Sequence, residues 1–349
     1  MFQKKLKILA FLFIILRLNG LYCGINITYS EKKTENIKNN TERKKTILFS
    51  FNLGFNTKLH TGVAYEYVFD IAGDMVSQLE WQSLPTITIG GTIEFLLKNG
   101  FHTAFSADFY FPKKAGKMSD KDFLHIKERP LLIKFSEHDN FLSNGMYFDF
   151  IIGWKKKLFE NNSKNIKIYI EPVIGLNYFF NKWQASDGYI QYADISKSIQ
   201  EVSGKTPKIF WKGKAVSYKQ KILLPNIGLF FTLNLPKTWS ITTGLQLSSQ
   251  VLAACKDTHH ARNLIFYDIF YEKGFSLYLK LRAEKVVKKR LIFFISLNYD
   301  NVISYNGETV QYNMILKKPE LKTVKGTSGT AFYNAGISTG FYIKFGNYH

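Results

Sequence analysis

The sequence contains little cysteine and, beyond its first residues, no long apolar run. Two of its 349 residues are cysteines, Cys23 and Cys255, which are too few for a disulfide framework. No segment after the N-terminus approaches the roughly 20 consecutive apolar residues that a transmembrane helix needs. A role in a membrane would therefore require a β-barrel, because a closed barrel is the other structure that satisfies its backbone hydrogen bonds within lipid.

The N-terminus has the order of a secretory signal. Lysines near the start precede a short apolar run at residues 8–16, and the small residues Gly20 and Gly24 follow it. This arrangement predicts a signal peptide over residues 1–24. Residues 25–45 are polar and charged and predict a flexible lead-in, which leaves 46–349 for the folded domain.

The chain carries a net charge of +20, from 47 Lys and Arg against 27 Asp and Glu. A basic patch can bind nucleic acid by releasing counterions. Here, however, the basic residues are spread along the chain, and no recognition motif accompanies them. We therefore expect no nucleic-acid partner, and we interpret the charge as solvated loops and attraction to anionic lipid head groups.

Aromatic residues make up 16% of the sequence, although the mean hydropathy is only −0.12. Within residues 101–111, apolar side chains alternate with His102, Ser106 and Asp108. The same alternation recurs at 239–248, 275–282 and 291–300. Alternation of this length predicts strands that are apolar on one side and wet on the other.

The segments between these strands differ in length. Short turns fall near 98–100, 160–165, 235–237 and 284–289, whereas longer polar stretches cover 113–140, 184–218 and 305–330, with smaller ones near 70–75 and 253–263. A soluble β-sandwich would have shorter strands and no such asymmetry. The sequence therefore predicts an all-β fold: a ten-stranded antiparallel transmembrane β-barrel with short periplasmic turns and long extracellular loops, in the outer membrane.

Two pairs of ionisable side chains follow such strands. Asp120 and Asp122 form one pair and Asp257 and His259 the other, and residues i and i+2 of a strand point the same way. The nine residues from Phe111 to Asp120 correspond to about 20 Å of height at a tilt of about 45°, which places the pairs above the lipid. Adjacent carboxylates can hold a shared proton or a water, and an aspartate makes a histidine more basic. Together they predict a hydrolytic site that activates water without a metal or a cofactor.

Other interpretations of these residues remain open. Asp-x-Asp and Asp-x-His pairs are common in polar loops, where they are simply solvated. Asp257, His259 and His260 could bind a metal, but no further ligand stands at a useful spacing. Cys255 could act as a thiol nucleophile, whereas a Ser-His-Asp triad lacks its G-x-S-x-G context.

Short sequence blocks occur in a fixed order between about residues 48 and 345. They are GVAYEYVF at 62–69 with VSQLEW at 76–81, MSDKDF at 118–123, AVSYKQK at 215–221, PNIGL at 225–229 and KDTH at 256–259. In content, order and spacing these blocks resemble the omptin family of outer-membrane aspartyl-type endoproteases. The resemblance covers nearly the whole chain after the predicted signal.

The resemblance implies a ten-stranded barrel protease whose active site faces the extracellular side. Asp257 and His259 would be the dyad that deprotonates a water. Asp120 and Asp122 would hold that water and help to stabilise the oxyanion. Glu66 matches the acidic residue that lines the family's pocket for a basic side chain before the cut bond.

Two stretches depart from the family. Omptins carry a second pocket acid two residues before the catalytic Asp, and this substrate-binding position is Cys255 here. Where the family binds lipopolysaccharide through basic residues, this chain has Phe180, Ser186 and Asp187. We therefore expect polypeptide substrates with an altered preference for basic residues, outer-membrane lipid as a partner with the dependence on lipopolysaccharide left open, no cofactor, and a monomer.

A non-catalytic barrel that serves as an adhesin or structural surface protein is the alternative function, favoured by the altered pocket and the basic loops. A passive pore is a weaker alternative, because about ten strands leave little lumen once side chains fill it.

Overall fold

The computed structural model describes residues 49–126, 129–194 and 201–345. The predicted signal peptide, the lead-in and the tail 346–349 lie outside these ranges, so both predicted N-terminal segments stay predictions. Within these ranges no helix is long and apolar enough to cross a membrane. One 3-10 turn, Pro236–Thr238, joins two of the strands. The strands are β1 (Phe49–Phe69), β2 (Met75–Leu97), β3 (Phe101–Tyr110), β4 (Lys113–Ile126), β5 (Arg129–Trp154), β6 (Lys156–Asn161), β7 (Ile166–Tyr192), β8 (Ile209–Leu235), β9 (Trp239–Gln250), β10 (Leu252–His259), β11 (Leu264–Phe270), β12 (Lys273–Lys288), β13 (Leu291–Asn313), β14 (Lys318–Lys322) and β15 (Ser328–Phe345).

Ten of these strands close into a ring. The order is β1–β2–β3–β5–β7–β8–β9–β12–β13–β15, and β15 pairs with β1 to complete it. Every pairing is antiparallel, which short turns between neighbouring strands allow. The predicted ten-stranded antiparallel barrel is confirmed.

The ring continues upward at the end opposite the short turns. There β4 replaces β3 between β2 and β5, while β10 and β11 replace β9 and β12 between β8 and β13. Three of the ten wall strands are therefore each built from two pieces. The pieces that carry the predicted site, β4 and β10, both belong to this upper wall.

The long polar stretches are mostly strand rather than loop. β4 and β5 cover 113–126 and 129–140, and β7 and β8 cover most of the described residues of 184–218. The long connections at this rim are therefore built largely from extended strands of the upper wall. Above the lipid the outer face of a strand meets water instead of apolar lipid chains, so the regular apolar alternation that signals a lipid-facing strand is lost there.

The lower wall has the alternation that the sequence predicts. On β3, Phe105 and Phe109 face outward with 44% and 49% of their surfaces exposed, whereas Asp108 faces inward and is 2% exposed. The exposed apolar belt reaches Leu59 on β1, Phe111 after β3 and Leu247 on β9. These faces fit a lipid exterior and a polar interior.

A layer of aromatic side chains fills the barrel above this belt. Trp81, Trp183 and Tyr218 are fully buried, and the ring centroids of Trp81 and Tyr218 are 5.5 Å apart in a stacked pair. Trp183 packs 5.8 Å from Tyr218 and donates a hydrogen bond of 3.0 Å to Ser83. This aromatic layer separates a polar cavity of about 220 Å³ in the lower barrel from the residues above.

Candidate active site

The pair on β10 is formed as the i, i+2 spacing predicts. His259 Nε2 lies 2.5 Å from Asp257 Oδ2, and the Asp257 side chain is 1% exposed. The imidazole packs edge-on against Phe266, with the ring centroids 5.4 Å apart. Arg262, an exposed residue of the following turn, contacts the other ring nitrogen, Nδ1. Asp257 therefore fixes the orientation of the imidazole from inside the wall.

The pair on β4 shares one cation. Lys134 Nζ lies 2.7 Å from Asp120 Oδ2 and 2.8 Å from Asp122 Oδ2. Ser77 donates a 2.8 Å hydrogen bond to the other oxygen of Asp122. Sequence reasoning missed Lys134, because it lies on β5 and only the register of Asp122 against Lys134 places it there.

The two pairs face each other across the barrel. β4 and β10 stand on opposite sides of the ring, and both side-chain pairs point inward. Burial and the charge of Asp122 raise the pKa of Asp120, while the charges of Lys134 and His259 lower it in part. The charge of His259 acts on Asp120, so the two pairs lie close enough to line one crevice. We call it the upper crevice. Glu66, Asp120 and Asp257 lie at least seven residues beyond the belt positions Leu59, Phe111 and Leu247, or about 16 Å higher along tilted strands.

Glu66 lines the same upper crevice from β1. It lies between Leu79 of β2 and Thr330 of β15, and it is 4% exposed. Burial raises its pKa well above the ordinary value, and the charges of Asp257 and other crevice acids raise it further. Such a carboxylate is poised to accept a cation, because pairing removes much of the penalty of its burial.

Three buried carboxylate oxygens have no hydrogen-bond partner among the described residues. They are Glu66 Oε2, Asp120 Oδ1 and Asp257 Oδ1. Buried polar atoms are nearly always paired in native proteins, so oxygens left open in this way indicate positions for an incoming donor. Asp120 and Asp257 provide one such oxygen on each of the two opposing sides of the upper crevice, and Glu66 provides the third from β1.

Cys255 faces inward but is not available as a nucleophile. Its side chain is 3% exposed, and its Sγ lies 3.7 Å from the hydroxyl of Thr330. Burial raises the pKa of the Cys255 thiol, which keeps it neutral, and thiols attack as thiolates. The metal interpretation has no support either: His260 bonds to Ser217 at 2.9 Å, and no metal-binding group of three or more His, Cys, Asp or Glu occurs in the described part of the chain.

The outer face carries a row of lysines that the sequence did not reveal. Lys182, Lys219 and Lys256 are direct register partners on β7, β8 and β10. They alternate with buried, inward-facing residues and so point outward. Burial and the neighbouring lysine charges lower the pKa of Lys219. Phe180, one of the departures from the family motif, lies beneath Lys219, with 5.3 Å from Nζ to the ring centre.

Comparisons with known proteins agree with this architecture. The model of a family described as the Omptin family matches residues 27–345. The outer membrane protease OmpT from Escherichia coli matches with a TM-score of 0.73 and 18% identity, covering 85% of this chain and 97% of that chain. The outer membrane protein OprG from Pseudomonas aeruginosa matches with a TM-score of 0.30 and 8% identity, covering 83% and 95%. No curated protein matches the sequence.

Proposed function

Since the chain belongs to the omptin family, we propose that it is an outer-membrane endopeptidase that cleaves surface or host polypeptides with an activated water. Asp257 and His259 are the activating dyad, and Asp120 and Asp122 hold the water. The single observation that carries this proposal is the opposition of the two pairs across one crevice, with an unpartnered carboxylate oxygen on each side.

The mechanism follows from these contacts. Asp257 holds one nitrogen of the His259 ring, and the other nitrogen takes a proton from the water, displacing the exposed Arg262 side chain. The water oxygen attacks the peptide carbonyl carbon, and the carbon–nitrogen bond then breaks. His259 returns its proton to the departing amine. Each bond broken is matched by one formed, and no metal or covalent intermediate is involved.

The opposite side of the crevice stabilises the negative charge of the intermediate. Lys134 supplies a fixed positive charge beside the oxyanion. The ionised Asp120 accepts a hydrogen bond from the water at its open Oδ1. Asp122, held by Ser77 and Lys134, accepts a hydrogen bond from the water. This division of roles explains why two adjacent acids are paired with one lysine.

The buried carboxylate of Glu66 supports a preference for Arg or Lys before the cut bond. A digest of a peptide library by the refolded protein, with cleavage sites read by mass spectrometry, is expected to show basic residues enriched before the cut. The physical reason is that pairing with a cation offsets the free-energy penalty of an unpaired buried carboxylate. A library left intact from pH about 5 to 9 would instead favour the non-catalytic adhesin or structural barrel.

The lysine row supports outer-membrane lipid as a partner through its phosphate groups. It lies on the outer face of the wall above the exposed apolar belt, on the side where the phosphate groups of large lipid head groups can contact the wall. This cation set differs from the family motif that the sequence lacks, and we expect phosphorylated lipopolysaccharide to bind to it.

The triple variant Lys182→Ala, Lys219→Ala and Lys256→Ala is expected to weaken binding of fluorescent lipopolysaccharide by about 100-fold, at about 1 kcal/mol for each lysine. Removing the lipid A phosphates should weaken binding to the unaltered protein similarly. A matched variant that removes three exposed lysines outside the row controls for net charge: Lys205 and Lys317 in turns and Lys212 at the start of β8. Equal affinities of the two triple variants would show that the row is not the lipid site.

A further inference from the structure

The position that holds Cys255 in place of a second pocket acid has an acid directly opposite it. Asp268 on β11 is the register partner of Cys255 on β10. Direct partners in an antiparallel pair point to the same face, with their Cβ atoms about 5 Å apart. Both side chains are 3% exposed and face the interior. The carboxylate missing from one strand is therefore present on its neighbour.

Resting on the proposed function, we propose that Asp268 and Glu66 together form the pocket that binds the basic side chain of the substrate. The second acid of the pocket is relocated across the β10–β11 ladder rather than lost. The +1 charge of an arginine or lysine side chain is the chemistry that this pocket would recognise.

The charges around Asp268 favour the binding of a cation. Asp268 faces Asp257, and the charges of Asp268 and Asp257 both act on Glu66. Neither Asp268 nor Glu66 forms an ion pair within the described ranges, whereas Lys134 is already engaged by Asp120 and Asp122. Burial and the neighbouring charge of Asp257 raise the pKa of Asp268 to about 7. An entering guanidinium or ammonium group would relieve this repulsion.

Unpartnered polar atoms also point into this pocket. Glu66 Oε2 and the side-chain oxygen of Gln220 lack partners among the residues that the structure describes, and both residues are at least nine-tenths buried. Gln220 lies beside Cys255 on the opposite strand. Both open atoms are acceptors, which matches a ligand that brings only N–H donors.

The rest of the pocket is neutral and fixed. The thiol of Cys255 and the hydroxyl of Thr330 lie between the two acids without adding charge. The Thr309 hydroxyl donates a hydrogen bond to Asp268 and holds its carboxylate in place. The pocket therefore has the two negative charges of a two-acid site, with one of them entering from a different strand.

Two peptides that differ only before the cut bond, one with arginine and one with its neutral isostere citrulline, test the proposal. Asp268→Asn is expected to lower kcat/KM for the arginine peptide by about 10- to 100-fold, the range for a charge-assisted hydrogen bond, and to change the citrulline peptide by less than about twofold. Glu66→Gln should act in the same direction. Glu308→Gln removes the same charge from the adjacent strand outside the pocket and should leave the ratio unchanged.

Returning the pocket acid from position 268 to position 255 gives the most discriminating test. The double variant Asp268→Asn with Cys255→Asp is expected to recover the arginine preference, because the new carboxylate stands directly opposite the old position. An unchanged arginine-to-citrulline ratio in Asp268→Asn, with a collapsed ratio in Glu66→Gln, would overturn the role of Asp268.

A binding measurement separates this inference from the proposed function. Agmatine carries a guanidinium group and has no bond to cut, so its affinity by calorimetry does not depend on proteolysis. Weaker agmatine binding in Asp268→Asn supports the pocket even if no peptide is cleaved, in which case the protease proposal alone fails. Equal agmatine affinity in the two correctly refolded proteins rejects the pocket.

Discussion

Replacing His259 with alanine is expected to lower kcat/KM for an arginine-containing peptide by about 100- to 10,000-fold, the range associated with a positioned general base. The imidazole is the basic group of the upper crevice that Asp257 orients, at 2.5 Å. Without it, the water would have to give its proton to bulk solvent. The measurement is steady-state cleavage by the refolded protein, with folding checked by the mobility of unboiled samples on SDS gels.

The neighbouring histidine offers a matched control. The His260 side chain bonds to Ser217 at 2.9 Å instead of taking part in the dyad, so His260→Ala should retain activity within about threefold. Asp257→Asn keeps the size of the side chain but removes the charge that stabilises the imidazolium, and it should lose at least about 100-fold. Full activity in His259→Ala would refute the dyad and the proposed mechanism with it.

The fold was predictable where lipid imposes a pattern. On β3, the alternation of Phe105 and Phe109 with Asp108 follows from an apolar exterior and a polar interior, and the strand count follows from such segments. Above the belt this constraint ends. Residues 129–140 continue β5 without a break although their sequence looks like a loop, because hydrogen bonds to β4 and β7 define the strand there.

The candidate site was predictable only along single strands. The i, i+2 rule pairs Asp120 with Asp122 and Asp257 with His259 without any knowledge of the neighbours. Lys134 and Asp268 instead reach the site through the register between strands, which a single sequence does not reveal. Sequence reasoning therefore missed two residues whose charges act on the acids of the upper crevice.

Rigid placement of the charges is the common feature of this site. The crevice acids lie on paired strands of a closed ring rather than on free loops, and the aromatic layer of Trp81, Trp183 and Tyr218 packs beneath them. Fixed dipoles and charges stabilise a transition state without reorganising during the reaction. Their cost is a set of buried like charges, which Lys134 offsets on one side of the crevice.

Removing the positive charge of Lys134 is expected to move the acid limb of the pH–activity profile to higher pH. Lys134→Met takes away a positive charge 2.7 Å from Asp120 and 2.8 Å from Asp122. The charge of Lys134 lowers the pKa of Asp120, so its loss raises that pKa further above the ordinary value. Asp120 must be ionised to accept a hydrogen bond from the water, and below its raised pKa the carboxylate is protonated.

The limb should therefore shift to higher pH by about one to three units, the usual effect of an opposite charge at this distance. At a fixed pH on that limb, this corresponds to a loss of about 10- to 1,000-fold, with much of the activity recovered as the pH rises. Lys134→Arg keeps the charge and should keep the profile. Lys117→Met, which removes a lysine of β4 that pairs with Asp139 instead, controls for the change in net charge. Superimposable profiles for Lys134→Met and the unaltered protein would mean that Lys134 does not set the ionisation of the β4 pair, and that the water is held by some other group.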